Sequence, residues 1–263
     1  MPDLSWVAAL LPLIAAGFGV GFLIGLTGVG GGALMTPLLI STFGVPPQLA
    51  VGTDLLYASV TKITAGWRHH LADHINWRIV LTLAAGSVPA AILLLTVIAL
   101  TDLDTAALGD SIRLGLAFAL PISALAILLY PVLLRETKHE GDGVPRRTLA
   151  TVLFGIALGL LVTLTSVGAG AIGVAVLAAL YPMLAAKRIV GTDIAHAVPL
   201  TLVAGLGHLG LGNVDFGLLV PLLLGSIPGM LLGTRLCGLA PDWVIRPILA
   251  VTLCYAAYAL FTK

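Results

Sequence analysis

Long apolar runs, separated by glycine, proline and short charged stretches, divide the 263-residue chain into ten segments at about residues 6–26, 33–43, 49–67, 77–100, 111–134, 148–164, 169–185, 189–209, 216–236 and 243–261. Most can span a hydrocarbon core as a helix, which takes about 20 residues. The run 33–43 cannot, since eleven helical residues reach only about 16 Å. It is entered through Leu26-Thr27-Gly28-Val29-Gly30-Gly31-Gly32 and closed by Gly44-Val45-Pro46-Pro47. Glycine is a poor helix former that leaves its backbone amides exposed, so the pattern predicts a helix break followed by a half-helix. The runs are continuous rather than alternating, which predicts an all-α polytopic membrane protein and excludes a transmembrane β-barrel.

The pattern repeats. A shift of 138 places matches eight of the sixteen residues 17–32, ending on Leu164-Thr165-Ser166-Val167-Gly168-Ala169-Gly170. A shift of 139 then aligns Val51-Gly52-Thr53-Asp54 with Val190-Gly191-Thr192-Asp193, Ala65-Gly66 with Ala204-Gly205, and His69 with His208. It also aligns Gly86-Ser87-Val88-Pro89 with Gly225-Ser226-Ile227-Pro228. Motifs kept in order point to duplication: an N-terminal repeat over 1–134, a linker over 135–147 and a C-terminal repeat over 148–263.

Charge sets the relation between the copies. Arg68, His69, His70 and Arg78 flank the loop after the first Gly-Thr-Asp helix, whereas the equivalent loop at 210–215 has no Lys or Arg. Lys187-Arg188 instead precede the second Gly-Thr-Asp helix, where the first half has Pro46-Pro47-Gln48. Opposite charge character in equivalent loops is expected of copies inserted upside down relative to each other. If each broken pair enters and returns on one face and the next three segments cross, eleven of the thirteen Lys and Arg residues fall on one side. Only Arg113 and Lys263 fall opposite. The positive-inside rule makes the linker cytoplasmic and places both termini outside. Met1-Pro2-Asp3 has no basic n-region, so residues 6–26 are expected as a first membrane helix rather than a cleaved signal.

Composition agrees: 59% hydrophobic and 10% charged leaves too little charge to cover a soluble surface of this size. A net charge of +1 gives no reason to expect nucleic acid as a partner. Cys237 and Cys254 have no metal-ligand spacing and read as small buried hydrophobes; no metal or other cofactor is expected.

Candidate chemistry gathers at the two breaks. Half-helices starting near the midplane would present unpaired amides and a positive dipole end, which bind small oxyanions without a buried lysine. The candidate substrate-binding residues are Thr27, Gly28, Val29, Gly30, Gly31 and Gly32, with Thr165, Ser166, Val167, Gly168, Ala169 and Gly170. Thr53 and Thr192 join them from the Gly-Thr-Asp motifs. Close helix packing is the structural alternative for the glycines. Asp54 and Asp193 lie about 8 Å inside their segments, where a carboxylate is costly and a candidate proton carrier. His196 shares a face with Asp193, as Tyr57 does with Asp54, so all four are candidates for proton coupling. Helix capping is the alternative for the two aspartates. Lys62 is expected to snorkel to the inner interface, His69, His70 and His74 to be solvated, and His208 to sit at the outer interface. Arg113 and Arg246 read as interfacial anchors or an anion-attracting vestibule pair.

In the motifs Gly25-Leu26-Thr27-Gly28-Val29-Gly30-Gly31-Gly32 and Ala50-Val51-Gly52-Thr53-Asp54, and in their second copies, the chain resembles the sulfite exporter TauE/SafE family of permeases over nearly its whole length. The resemblance implies a multi-pass protein of a prokaryotic cytoplasmic membrane that exports sulfite, a small organosulfonate or a related sulfur-containing anion. Combined with the residues, it predicts a proton-coupled secondary transporter whose partners are a small anion, lipid and a second copy in a homodimer. An anion or small-solute channel is the alternative, since half-helices also line pores. An intramembrane enzyme fits less well: no Arg falls within either break, and no HExxH or GxSxG motif occurs.

Overall fold

The computed structural model describes residues 5–27, 32–101, 105–134, 147–236 and 242–261. Among them are ten helices and no strand: α1 (Ser5–Thr27), α2 (Gly32–Phe43), α3 (Pro47–Leu71), α4 (Trp77–Leu100), α5 (Thr105–Leu133), α6 (Thr148–Thr165), α7 (Ala171–Leu180), α8 (Ala186–Gly210), α9 (Phe216–Leu236) and α10 (Asp242–Phe261). Seven are long and apolar enough to cross a membrane. α3, at 25 residues, has the length, but Asp54, Lys62 and Arg68 interrupt its apolar sequence. α2 and α7, at 12 and 10 residues, reach about 18 and 15 Å, roughly half a hydrocarbon core.

α7 corrects an expectation. The apolar run 169–185 looked long enough to cross, yet its helix begins at Ala171 and stops at Leu180. Pro182 explains the stop, because a residue preceding proline is pushed out of the helical region, and Tyr181 is non-helical. Cys254 also departs from expectation: it is exposed on α10 rather than buried. Cys237 and most of the linker, residues 135–146, lie outside the described residues.

Lipid tails are as apolar as leucine, so helices in a membrane associate through close backbone approach rather than hydrophobic drive. Glycines provide that approach here. Gly17, Gly21 and Gly25 of α1 sit against the backbones of Leu222, Ser226 and Met230 of α9, so the two helices run parallel. Gly155 and Gly159 of α6 sit in the same way against Leu83 and Ser87 of α4. A methyl group at any of these positions would collide with main-chain atoms of the neighbour.

α3 and α8 form the centre. Residues Ala50 to Ser59 of α3 and Gly191 to Ala197 of α8 are buried on every side, as in a core helix. The two run antiparallel, with Gly52 near His208, Gly205 on Leu56 and Gly66 near Ile194. Contacts between the halves come in reciprocal pairs at the offsets found in the sequence. Gly52 meets the Asn213 carbonyl and Gly191 the His74 carbonyl. Thr53 Oγ1 accepts from the Asp215 backbone N–H at 3.0 Å, and Thr192 Oγ1 from that of Asn76 at 2.9 Å. Tyr57 donates to Ser226 Oγ at 2.6 Å, while His196 Nε2 and Ser87 Oγ are 2.8 Å apart.

Candidate functional site

The second helix break is built from left-handed backbone and borrowed partners. α6 ends at Thr165, and Ser166 takes φ +61°. Gly168 and Gly170 follow at φ +124° and +120°, values that residues with a Cβ rarely adopt, before α7 starts at Ala171. Thr165 Oγ1 donates to the Leu161 carbonyl at 2.7 Å and accepts from the Val167 backbone N–H at 3.1 Å. Backbone carbonyls freed inside a membrane need protein partners. Lys62 Nζ donates to the Ala169 carbonyl at 3.1 Å. The Tyr130 hydroxyl lies 2.7 Å from the Gly170 carbonyl and 3.2 Å from that of Ala171.

At the first break, Thr27 ends α1 with Oγ1 donating to the Leu23 carbonyl at 2.8 Å, and Gly32 opens α2. Gly28, Val29, Gly30 and Gly31 lie outside the described residues.

Each central helix points a fully buried carboxylate at the half-helix of its own half. Asp54 Oδ2 accepts from Thr36 Oγ1, in the second turn of α2, at 2.5 Å. The Ser166 hydroxyl lies near enough to act on the same carboxylate, although Ser166 Oγ makes no hydrogen bond of good geometry. Asp193 packs against the first turn of α7, where a methyl group on Gly173 would overlap its carboxylate. The Gly170 backbone lies near enough to act on Asp193 as a hydrogen-bond donor, although neither carboxylate oxygen makes a hydrogen bond of good geometry. Asp193 is therefore a buried acid without a hydrogen bond of good geometry.

Lys62, two turns beyond Asp54 on α3, is within electrostatic reach of both carboxylates. Its depth along the helix predicts that this side chain snorkels to the interface. Instead it turns inward to the second break and is 5% exposed, with the Ala169 carbonyl accepting its hydrogen bond and both aspartates within electrostatic reach. His208 corrects the same kind of expectation: it is buried, and Nε2 bonds to the Thr163 carbonyl at 2.9 Å rather than facing an interface. Among the basic-loop histidines, His70 is exposed, while His69 and His74 are half-buried with their rings 5.8 Å apart.

The expected Asp193–His196 pair does not form a hydrogen bond. His196 and Tyr57 turn instead to Ser87 and Ser226 of the two Gly-Ser-x-Pro motifs. His196 stays within electrostatic reach of Lys62. Thr53 and Thr192 are spent on the loop of the opposite half.

Lys62 is the functional candidate that sequence reasoning missed. Its signal was present, because an ionisable residue inside a membrane segment is costly and usually paired or functional.

The cluster of Thr36, Asp54, Lys62, Tyr130, Ser166, Asp193 and His196 is sealed, with no member more than 5% exposed. Two clefts approach opposite ends of α5. One, of about 710 Å³, is lined by residues 40–47 and Arg113. The other, of about 700 Å³, is lined by Leu134, Ala186, Trp243 and Arg246 among others, with Tyr130 at its wall. Arg246 lies over the Tyr130 ring at 5.8 Å, and Tyr130 is within electrostatic reach of both Asp193 and Arg246. Each of the two arginines thus lines a cleft.

Comparison with known proteins agrees with this architecture. The family described as "Sulfite exporter TauE/SafE" matches residues 13–260. The chain is 39% identical over 239 residues to the "Probable membrane transporter protein YjnA" of Bacillus subtilis, covering 90% of this chain and 92% of the relative. It is 27% identical over 255 residues to the "Probable membrane transporter protein YdhB" of the same organism, covering 94% and 98%. A probable membrane transporter protein of Methanocaldococcus jannaschii is 31% identical over 207 residues, 75% of this chain and 71% of the relative. No solved structure matches. The chain belongs to the TauE/SafE sulfite exporter family and is a multi-pass membrane transporter.

Proposed function

We infer that the protein is a proton-coupled secondary transporter carrying a small oxyanion, sulfite or an organosulfonate, outward across the cytoplasmic membrane. The observation that carries this reading is the sealed polar cluster at the start of two half-helices, between two arginine-lined clefts. A closed site with a vestibule toward each end suits alternating access better than a channel, which needs a continuous pore. The backbone amides around Gly28 to Gly32 and Ser166 to Gly170 would hold the anion, oriented by Thr27, Thr165 and Ser166. Asp193, with Asp54 and His196 nearby, would carry the proton.

The two halves are inverted copies in this reading. The antiparallel course of α3 and α8 and the reciprocal contacts across them support it. Rocking one half against the other would then expose the same site to each side in turn. The linker faces the cytoplasm and both termini face out.

Efflux from proteoliposomes loaded with radiolabelled sulfite or taurine tests the reading. A saturating efflux that responds to an imposed pH difference is expected. A non-saturating current unaffected by pH would point to a channel and contradict it.

A further inference from the structure

A transport site built from glycine amides leaves Lys62 without a task. Its ammonium donates to the Ala169 carbonyl at the second break, within electrostatic reach of Asp193 and Asp54. The two carboxylates are held differently. Asp54 is anchored by the Thr36 hydroxyl, whereas both oxygens of Asp193 lack a hydrogen bond. Asp193 is nevertheless wedged against the start of α7, where a glycine at 173 is what leaves it room. A helix start beside a buried ammonium fits an oxyanion, and Asp193 places a tethered anionic group there.

We propose, resting on the oxyanion-transporter reading above, that Lys62 and the start of α7 form the transport site, and that Asp193 is its internal competitor. When Asp193 takes up a proton the negative charge near Lys62 is lost, and the anionic oxygens of the substrate supply it instead. Charge is conserved in the exchange: one negative charge leaves the lysine as a neutral acid forms, and one arrives with the substrate. A monoanion therefore moves together with one proton, as an electroneutral pair. Outward flux runs on the anion's own gradient, and an acidic exterior opposes it. The site exists once per chain, because the repeat places Thr201 where Lys62 stands, and the Thr201 hydroxyl bonds to the Ala197 carbonyl within its own helix.

The groups facing Asp193 fix how it takes up the proton. Lys62 reaches it from α3, Tyr130 from α5, and the Gly170 and Gly173 backbone from α7. On its own helix, His196 lies one turn on and bonds to Ser87 of α4. The remaining titratable residue of α4 is Arg78 at its start, and α6 has none. Asp54, held by Thr36 and near Ser166, completes the set.

Proteoliposomes loaded with methanesulfonate, an anion that holds no titrating proton of its own near neutral pH, separate the outcomes. Trapped anion and an internal pH dye are followed together. Wild type is expected to lose the anion and turn alkaline inside, one proton per anion. With potassium and valinomycin present to carry the compensating charge, Asp193→Asn is expected to release the anion, at an altered rate, without the one-to-one pH change. Lys62→Met is expected to lower flux about 100-fold. Because that variant strands a buried carboxylate, the double variant Lys62→Met with Asp193→Asn, which removes both charges, is assayed beside it and should be folded and inactive. Full flux in the folded double variant overturns the role of Lys62 while the oxyanion-transporter reading stands. A one-to-one pH change retained in Asp193→Asn overturns the exchange. Absence of flux in wild type, with sulfite and taurine as well, removes both.

Discussion

In the first half of the molecule, Asp54 is pinned to α2 by the Thr36 hydroxyl; in the second, Asp193 lies against α7 without a hydrogen bond. Around them the halves match closely. Thr53 and Thr192, Gly52 and Gly191, and Tyr57 and His196 each meet the equivalent partner in the opposite half. Among the positions where the halves differ is the one at which α3 carries Lys62 and α8 carries Thr201. Matched contacts are what scaffolding needs, since a reciprocal interface can be retained when two units rock. Beside Lys62, the buried lysine of α3, the two carboxylates are held differently: Asp54 accepts from Thr36, whereas Asp193 has no hydrogen bond of good geometry.

Substitutions can break that comparison in graded steps. The largest effect is expected at Lys62→Ala, which leaves buried carboxylates uncompensated and should destabilise by about 3–5 kcal/mol in thermal or denaturant unfolding. Thr201→Ala, the same position in the other half, loses only the hydroxyl's bonding to Ala197 and Val198 within its own helix and should cost about 1 kcal/mol or less. Equal losses at the two positions would deny the asymmetry. Gly173→Ala comes next, because its methyl group must displace the Asp193 carboxylate. A cost of about 1–3 kcal/mol is expected, partly relieved when Asp193→Ala is added in a double-mutant cycle.

Tyr130→Phe leaves the Gly170 carbonyl without its hydroxyl and should cost about 1–2 kcal/mol, with faster exchange of the α7 amides as the local readout. The smallest effects test the matched scaffold. Ser87→Ala and Ser226→Ala each orphan one buried partner, His196 or Tyr57, and should cost about 1 kcal/mol apiece, alike within a few tenths. A clear difference between them would mean that His196 does more than its counterpart.

Much of the fold was legible because breakers and apolar runs are local. α4 and α9 begin and end where the pattern places them, and the offsets of 138 and 139 anticipate the reciprocal contacts. The half-helix α7 was misjudged because its apolar run continues past Tyr181, although Pro182 carried the stop signal. Lys62 and His208 were misplaced for a different reason. Depth along a helix gives distance to an interface, but their partners, Ala169 and Thr163, lie 107 and 45 residues away in sequence. The same limit applies to His196, whose nearest polar neighbour in sequence, Asp193, is not its bonding partner; Ser87, 109 residues away, is. Local spacing finds the polar residues, and only tertiary packing pairs them.

The direct test of the exchange at Lys62 is the affinity of purified Asp193→Asn for methanesulfonate, compared with wild type across the neutral pH range. If Asp193 is an internal competitor, the variant binds about 10- to 100-fold more tightly than wild type at alkaline pH. The two converge as acid protonates the wild-type carboxylate, and the variant's own affinity is flat with pH. Weaker binding by Asp193→Asn at every pH would show that the carboxylate helps to hold the anion, and would contradict the exchange.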